Sequence, residues 1–586
     1  MSAASSAPES KTGVSIGEQA AIERREVGTA LPAIESALLA RIYAARGATS
    51  DDILNYSLAA LPHFRTLAGI DPAAAILETA ITAGHRIVVV GDFDADGATS
   101  TALACHALRA FGAAYVDYHL PHRVRDGYGL SPGVVETVGM GASGDVIVTV
   151  DNGISSVVGV DAARAAGWQV IVLDHHLPGD ELPRADAIVN PNQPDGGGAT
   201  LGVLAGVGVT FYAMLALRAR FVERLPANAL PRMSDYLDLV AIGTVADCVP
   251  MQHVNRVLVA QGIRRIRAGR NRPGVAALIM TAGRQAETLT ARDVGFSIGP
   301  RLNAAGRLDD MALGVACLLT DSPAEARQRA DELGELNNRR RTMQDRMQTE
   351  ADAAVADVAP APDTDRPAAQ VVYRADWHEG VVGLIAGRLA RDWHRPAVAF
   401  APADNGLVKG SARSIDGLNI RDALAAVDAA EPDLIARFGG HAGAAGLSMA
   451  VEHIDRFAAA FSAVIESRLT PALASPAWTT DGALAAAERT LATAKAVRDG
   501  GPWGIGFEEP QFDGVFDVQI ARIVGERHVK LWLRTPGESE VVEAIWFNGD
   551  TSVQNAARLQ TVYRVDVNHY NARERLQLVI QAAWAV

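Results

Sequence analysis

Between about residues 85 and 250, short apolar runs alternate with alanine-rich stretches of helical length. The runs 87–91, 146–150 and 170–173 are brief and β-branched, which predicts strands. Stretches 99–111 and 156–166 lie between such runs and read as helices. The alternation predicts an α/β fold with a doubly wound, mostly parallel sheet. In sheets of this kind ligands collect beyond the carboxyl ends of the strands.

The pattern changes near residue 322. Ser322-Pro323-Ala324-Glu325 reads as a capping box with proline at the first helical position. A long polar helix follows, with apolar positions at Ala326, Ala330, Leu333, Leu336, Met343 and Met347, and it ends in a Pro/Ala-rich hinge over 356–363. Helix and hinge read as a connector between two lobes. A coiled-coil dimer is the alternative, but Asn337, Asn338 and the arginines at 339–341 interrupt its seam. A smaller α/β lobe opens at Ala369 with a strand over 370–374 and runs to about residue 468. From about residue 510 the tail turns to strand alternation, with strands expected at 516–523, 529–534, 541–546, 561–567 and 576–583. That spacing suits a small β-barrel of the oligonucleotide-binding (OB) type, though other small β domains share it. The expected division is 1–49 (a flexible leader and an N-terminal helix), 50–320, 321–362, 363–468 and 469–586.

A chain of 586 residues is too long for one hydrophobic core, and 49% hydrophobic with 21% charged residues is a globular composition. No run of about 18 apolar residues occurs, so no membrane span is expected. The first 28 residues mix Ser, Ala, Glu and Lys without an apolar core, which reads as a leader rather than a secretory signal. Cys105, Cys248 and Cys317 are far apart, which argues against a disulfide framework or zinc ribbon and fits a cytoplasmic location. The net charge of −14 speaks against a nucleic-acid partner only weakly, because a local basic stripe decides binding. On composition alone, an acidic enzyme with a small substrate remains open.

Chemistry gathers where the apolar segments end. Segment 87–91 runs into Asp92-Phe93-Asp94-Ala95-Asp96-Gly97, and 146–150 into Asp151-Asn152-Gly153. Segment 170–173 ends in Asp174-His175-His176, and 239–245 leads to Ala246-Asp247-Cys248-Val249-Pro250. One aspartate after a strand is ordinarily a helix cap, and one His-His pair is ordinarily structural. Four such endings on one crevice would repel each other unless cations neutralised them. Carboxylate with imidazole suits Mn2+ best, and Mg2+ also fits. An EF-hand is excluded, because the twelfth position of that loop would be Leu103.

These four segments resemble the successive motifs of the DHH phosphoesterases, the third of which gives that family its name. The resemblance implies two adjacent cations that activate water for in-line attack on phosphorus. Asp94 and Asp151 would hold one; Asp96, Asp151, His175 and Asp247 would hold the other, with Asp151 bridging. Asp92 would serve as a ligand or as a partner of one, and His176 would orient the site or the scissile phosphate.

Further segments resemble the RecJ branch of the family. His122-Arg123-Val124-Arg125-Asp126-Gly127-Tyr128-Gly129-Leu130 offers arginine forks for phosphate and Tyr128 for base stacking. Gly299-Pro300-Arg301-Leu302-Asn303-Ala304-Ala305-Gly306-Arg307-Leu308 reads as a Gly/Pro-shaped loop. It makes Arg301, Asn303 and Arg307 candidate substrate contacts, with interdomain ion pairing as the alternative for each arginine. Asp376-Trp377-His378-Glu379-Gly380, Gly410-Ser411-Ala412-Arg413-Ser414 and the glycine-rich run from Gly439 to Gly446 resemble the companion DHHA1 domain. There Arg413, Ser414, Gly440 and His441 would meet a nucleic-acid backbone, while His378 and Glu379 would cap a helix. In the tail, Trp532, Trp546 and Phe547 are either stacking aromatics or barrel core. The resemblance implies a monomeric, metal-dependent 5′→3′ exonuclease on single-stranded DNA that releases 5′-mononucleotides. It would act in recombination and repair beside a single-strand-binding protein and a helicase. The rival within the family is an enzyme for short oligoribonucleotides or cyclic dinucleotides.

Overall fold

The structure is a computed structural model that describes residues 21–28, 33–122, 126–358, 367–403, 406–474, 477–525, 528–570 and 573–586. The chain forms two compact units. Of the described residues, the first comprises those within Val27–Asn337 and Ala496–Glu509; the second comprises 21–26 and those within Asn338–Lys495 and Pro510–Val586.

The first unit is built on a parallel sheet in the order Tyr115–His119, Arg86–Val90, Val146–Val150, Gln169–Leu173, Ala187–Val189. The expected doubly wound α/β sheet is therefore present, with two strands more than the apolar runs announced. Tyr115–His119 is an edge strand with polar alternation, and Ala187–Val189 is too short to stand out. Side chains alternate between two cores. Ile87, Val89, Val148 and Ile171 join a large cluster on one face, while Val88, Val90, Ile147 and Val170 pack with Leu130, Val134 and Trp168 on the other. Both faces are covered, which is why these strands read as unbroken apolar runs. Strand order reverses between Arg86–Val90 and Val146–Val150, and a crevice opens at such a switch point.

Residues 239–245 do not form a strand. Leu237–Ala246 is a helix, buried from Leu237 to Thr244, and Asp247 caps its carboxyl end. A helix buried on every side has no polar face, so its sequence lacks the 3.6-residue period. Residues 299–308 likewise form a helix rather than a loop, entered through a π-helical turn at Val294–Ile298. Its Gly-Pro opening occupies the first turn, where proline is tolerated.

The 496–509 stretch, assigned by sequence to the tail, completes the first unit. Phe507 is buried beneath the Arg256 guanidinium, 4.1 Å from its ring, and Met251 N donates to Ile505 O at 2.7 Å. Tyr43 donates its hydroxyl to Gly500 O at 2.7 Å and stacks with Trp503.

The connector helix Pro323–Val358 carries the boundary between the units, at Asn337 and Asn338. Only part of the capping box forms: Ser322 Oγ accepts from Glu325 N at 3.4 Å, while the Glu325 carboxylate accepts from the Thr320 hydroxyl. The hinge beyond Val358 lies outside the described residues.

In the second unit, a mixed sheet runs Arg437–Gly440, Ala444–Ala450, Leu407–Arg413, Ala397–Pro402, Gln370–Tyr373. Helices Ile420–Ala430 and Ile454–Arg468 pack on it through Leu424, Val427, Phe457 and Phe461. The tail is a closed barrel in the order Phe512–Val524, His528–Arg534, Val541–Trp546, Arg573–Ala585, Arg558–Tyr570. Trp546 is barrel core and not a stacking surface. Phe547 is half-buried beside the His528 ring, and Trp532 is half-buried beside Arg522 and Lys530. The expected leader is partly structured: Ala21–Arg24 pairs in parallel with Ala477–Thr480, and Arg24 forms an ion pair with Asp513. That strand depends on partners more than 450 residues away, so no local pattern announces it.

Candidate metal centre

Asp92–Asp96 and Asp151 lie at the ends of the two strands that flank the switch point. Asn152, fully buried, spans that point: its Nδ2 donates to Val90 O at 3.1 Å and to Val150 O at 2.9 Å. Asp94 is the N-cap of helix Ala95–Ala110, its Oδ1 accepting from Asp96 N and Gly97 N. The ordinary capping reading of a strand-end aspartate is therefore realised here, and it fixes the carboxylate in direction. Asp151 has φ +61, a left-handed backbone that non-glycine residues seldom adopt.

Asp96 Oδ2 accepts from Gly206 N at 2.6 Å and Oδ1 from Val207 N at 3.1 Å, at the amino end of helix Gly206–Val222. The helix end supplies oriented donors to a buried carboxylate. Gly206 and Gly243 are required by close approach. A Cβ on Gly206 would lie 2.5 Å from Asp151 Oδ1, and one on Gly243 would lie 2.6 Å from Asp96 Oδ1.

His175 Nε2 lies 3.1 Å from Asp151 Oδ1 and 3.6 Å from Asp247 Oδ2. None of these three buried atoms makes a hydrogen bond. Ligand atoms come within 4.8 Å of one another in three groups: Asp92, Asp94 and Asp151; Asp96, His175 and Asp247; Asp151, His175 and His176. All the expected ligands are thus brought together, and Asp151 belongs to two groups. Buried acceptors facing one another without donors are costly unless a cation fills the space between them. The donor set fits hard divalent cations.

The electrostatics agree. Burial, then the Asp94 carboxylate, pushes Asp96 up to about 7. Burial and neighbouring carboxylates hold Asp151 and Asp247 well above the usual carboxylate range. Burial, then His176, lowers His175 to about 4, which leaves a neutral imidazole able to act as a ligand. His176 behaves oppositely. Burial would lower it, but its hydrogen bond to Asp174, 2.7 Å from Nδ1, raises it to about 9. Two rings 4.4 Å apart therefore differ in charge at neutral pH.

Tyr128 joins this group: its hydroxyl lies 3.1 Å from His176 Nδ1 and 3.3 Å from Asp151 O, while 46% of the residue stays exposed. Asn303 also sits here, its Oδ1 accepting from Ala95 N at 2.8 Å and so anchoring the aspartate loop. Arg301 donates to the backbone carbonyls of Ser297 and Thr281, and Arg307 is half-buried on the same helix. Arg123 lies outside the described residues.

The remaining candidates cluster in the second unit. Ser414 N donates to Gly443 O, and Arg413 pairs in register with Ala444 across the sheet. Gly440 ends its strand at φ +145, and His441 follows in the turn with Nδ1 accepting from Gly443 N. Arg413 donates to Ser411 Oγ at 2.6 Å, and Ser414 Oγ donates to Leu418 O. Glu379 pairs with Lys409 rather than capping a helix, and His378 Nδ1 accepts from Gly380 N.

Sequence reasoning passed over Gly206, Gly243, Asn190 and Asn192. Asn190 directly follows a strand, as the aspartates do, but that strand is only three residues long and gave too weak a signal. The glycines leave no local signal, because their role depends on contacts between distant segments.

Residues 86–244 match the DHH family N-terminal domain, 367–467 the DHHA1 domain and 480–582 the RecJ OB domain. Over 580 residues (97% of this chain and 100% of the relative) the sequence is 47% identical to single-stranded-DNA-specific exonuclease RecJ of Escherichia coli strain K12. The fold is similar to the crystal structure of Thermus thermophilus RecJ in complex with Mn2+, with TM-score 0.73, 30% identity, and coverage of 93% of this chain and 75% of that one. Its Mg2+ complex gives TM-score 0.69 at 28% identity, with 94% and 74% covered. End-to-end identity, three matching domains and a shared fold agree: the chain belongs to the RecJ family.

Proposed function

We propose that this protein is a divalent-cation-dependent exonuclease specific for single-stranded DNA, working 5′→3′ and releasing 5′-mononucleotides. The observation that carries the reading is the convergence of Asp151 Oδ1, His175 Nε2 and Asp247 Oδ2 with no hydrogen bond among them. Similarity to an E. coli relative named for single-stranded-DNA-specific exonuclease activity supports the substrate. Thermus RecJ crystallised with Mn2+ and with Mg2+ supports either metal.

Asp94 and Asp151 would hold one cation and Asp96, Asp151, His175 and Asp247 a second, with Asp92 beside the first; Asp151's membership of two groups supports the sharing. Bound there, divalent cations supply Lewis acidity at phosphorus oxygens and a strong nucleophile from water at neutral pH. His176, kept cationic by Asp174, presents positive charge and a ring N–H to a phosphate oxygen. The Tyr128 hydroxyl steadies that ring, and its exposed face is open to a base. Arg301 and Arg307 on one unit, and Arg413, Ser414, Gly440 and His441 on the other, would contact the strand's backbone. Arg123 would add a phosphate contact.

The reading extends to a monomer in the cytoplasm, serving recombination and repair with a helicase and a single-strand-binding protein. Among the described residues, no helix is long and apolar enough to cross a membrane. Incubation with Mn2+ and end-labelled substrates tests the activity. Rapid release of mononucleotides from the 5′ end of long single strands, with duplexes spared, is expected. Preference for dinucleotides or cyclic dinucleotides would overturn it.

A further inference from the structure

The edge strand Ala187–Val189 runs into Asn190-Pro191-Asn192, and both asparagine side chains reach the histidine segment. Asn190 is fully buried, and its Nδ2 donates to His176 O at 2.9 Å. Asn192 Nδ2 donates to His175 O at 2.6 Å and to Gly202 O at 3.1 Å. The two are locked to each other, because Asn190 Oδ1 accepts from Asn192 N at 2.7 Å. Pro191 between them restricts the backbone further.

Their targets differ in consequence. Asn192 ties the backbone of His175 to the segment that follows Gly202. That segment leads to Gly206, whose amide holds Asp96 and which lies against Asp151. One side-chain amide therefore joins the backbone of one proposed cation ligand to the stretch of chain that aims another. Within the histidine segment, the Asn190 amide instead bonds the backbone of His176, whose ring faces Asp174 and Tyr128. Groups that orient ligands tune metal affinity, commonly by about 10- to 100-fold.

We propose that Asn192 and Asn190 are positioning residues with separate tasks. Asn192 sets the direction of His175 toward the cations, and Asn190 sets His176 toward the substrate phosphate. The inference rests on the reading of the cluster as a cation site.

The test compares Asn192→Ala with Asn190→Ala in the full chain, using Mn2+ binding followed by electron paramagnetic resonance and turnover of single-stranded DNA at saturating Mn2+. Asn192→Ala is expected to weaken Mn2+ binding by about tenfold or more, with turnover substantially restored at high Mn2+. Asn190→Ala is expected to bind Mn2+ within about twofold of the unchanged protein and to lose about tenfold in turnover even when saturated. Should Asn192→Ala fail to fold by thermal unfolding, Asn192→Ser, which keeps one donor, replaces it and is expected to weaken Mn2+ binding to a smaller extent. Unchanged Mn2+ binding in the Asn192 variant, or the same profile in both variants, overturns the proposal. Absent Mn2+ binding or nuclease activity in the unchanged protein would instead count against the proposed function.

Discussion

Gly206 and Asp96 are joined by a 2.6 Å hydrogen bond from the amide that opens a helix to a carboxylate Oδ2. The same glycine faces Asp151, whose Oδ1 would lie 2.5 Å from any Cβ added there. Gly206→Ala should therefore act on two proposed ligands at once. Overpacking is expected to cost ~1–3 kcal/mol in stability, and displacement of the carboxylates to weaken Mn2+ binding ~10- to 100-fold. Calorimetric titration with Mn2+ checks this; a variant that is less stable but binds Mn2+ normally would contradict it.

Asp151 is a buried carboxyl on a left-handed backbone, a conformation that asparagine adopts more readily than alanine. Asp151→Asn separates charge from backbone. Cleavage should be abolished while binding to single-stranded DNA persists, and the metal-free variant should gain ~1–3 kcal/mol of stability as carboxylate repulsion is relieved. Denaturant unfolding in a chelator, beside a gel-shift assay, reads both effects.

The raised carboxylates give a pH dependence whose sign is fixed. Asp96 titrates at about 7 in the folded chain, against ~4 when unfolded. The metal-free native state thus binds more protons across that window. Stability is fully present below the unfolded value and is lost as pH rises through the folded one. With a chelator present, the melting temperature should fall between pH 5 and pH 8 (roughly, given such values). Saturating Mn2+ should flatten or reverse the slope, because cations replace the protons. A chelated protein whose stability rises over this window would refute the assignment.

Tyr128→Phe keeps the ring and removes the hydroxyl beside His176 and Asp151 O. Losing a hydrogen bond to a charged ring should lower kcat by ~10-fold with little change in KM, whereas Tyr128→Ala should also raise KM. Steady-state kinetics on one oligonucleotide length separates the two.

Arg413 is turned onto Ser411 and the Ala412 carbonyl, with its guanidinium partly buried. Arg413→Ala should weaken single-strand binding and shallow the logarithmic salt dependence by about one ion. Fluorescence anisotropy across a salt series gives the slope.

The cluster of carboxylates and histidines was largely legible because buried parallel strands are unbroken β-branched runs, and the residue after each run is confined to the sheet's carboxyl edge. Asp92, Asp151 and Asp174 follow from that rule. Asp247 broke it, since its apolar segment is a fully buried helix whose composition resembles a strand's. Asn303 was recognised as part of a motif, yet its contact with Ala95 N joins residues 208 positions apart and leaves no local trace. The barrel strands were readable from alternation alone. Which aromatic faces inward was not, and Trp546 turned out to be core.

The chain also imposes an order on its own synthesis. The site built around Tyr43, Met251 and Arg256 is closed by Ala496–Glu509, which leaves the ribosome only after the intervening sheet of the second unit. At cellular translation speeds that interval lasts roughly 10–30 s. For that time the nascent first unit carries an uncovered apolar seat, and Ala21–Arg24 likewise waits for Ala477–Thr480. Maturation of the first unit is therefore coupled to translation of the last hundred residues, and a message cut short before them yields a first unit without its closing piece.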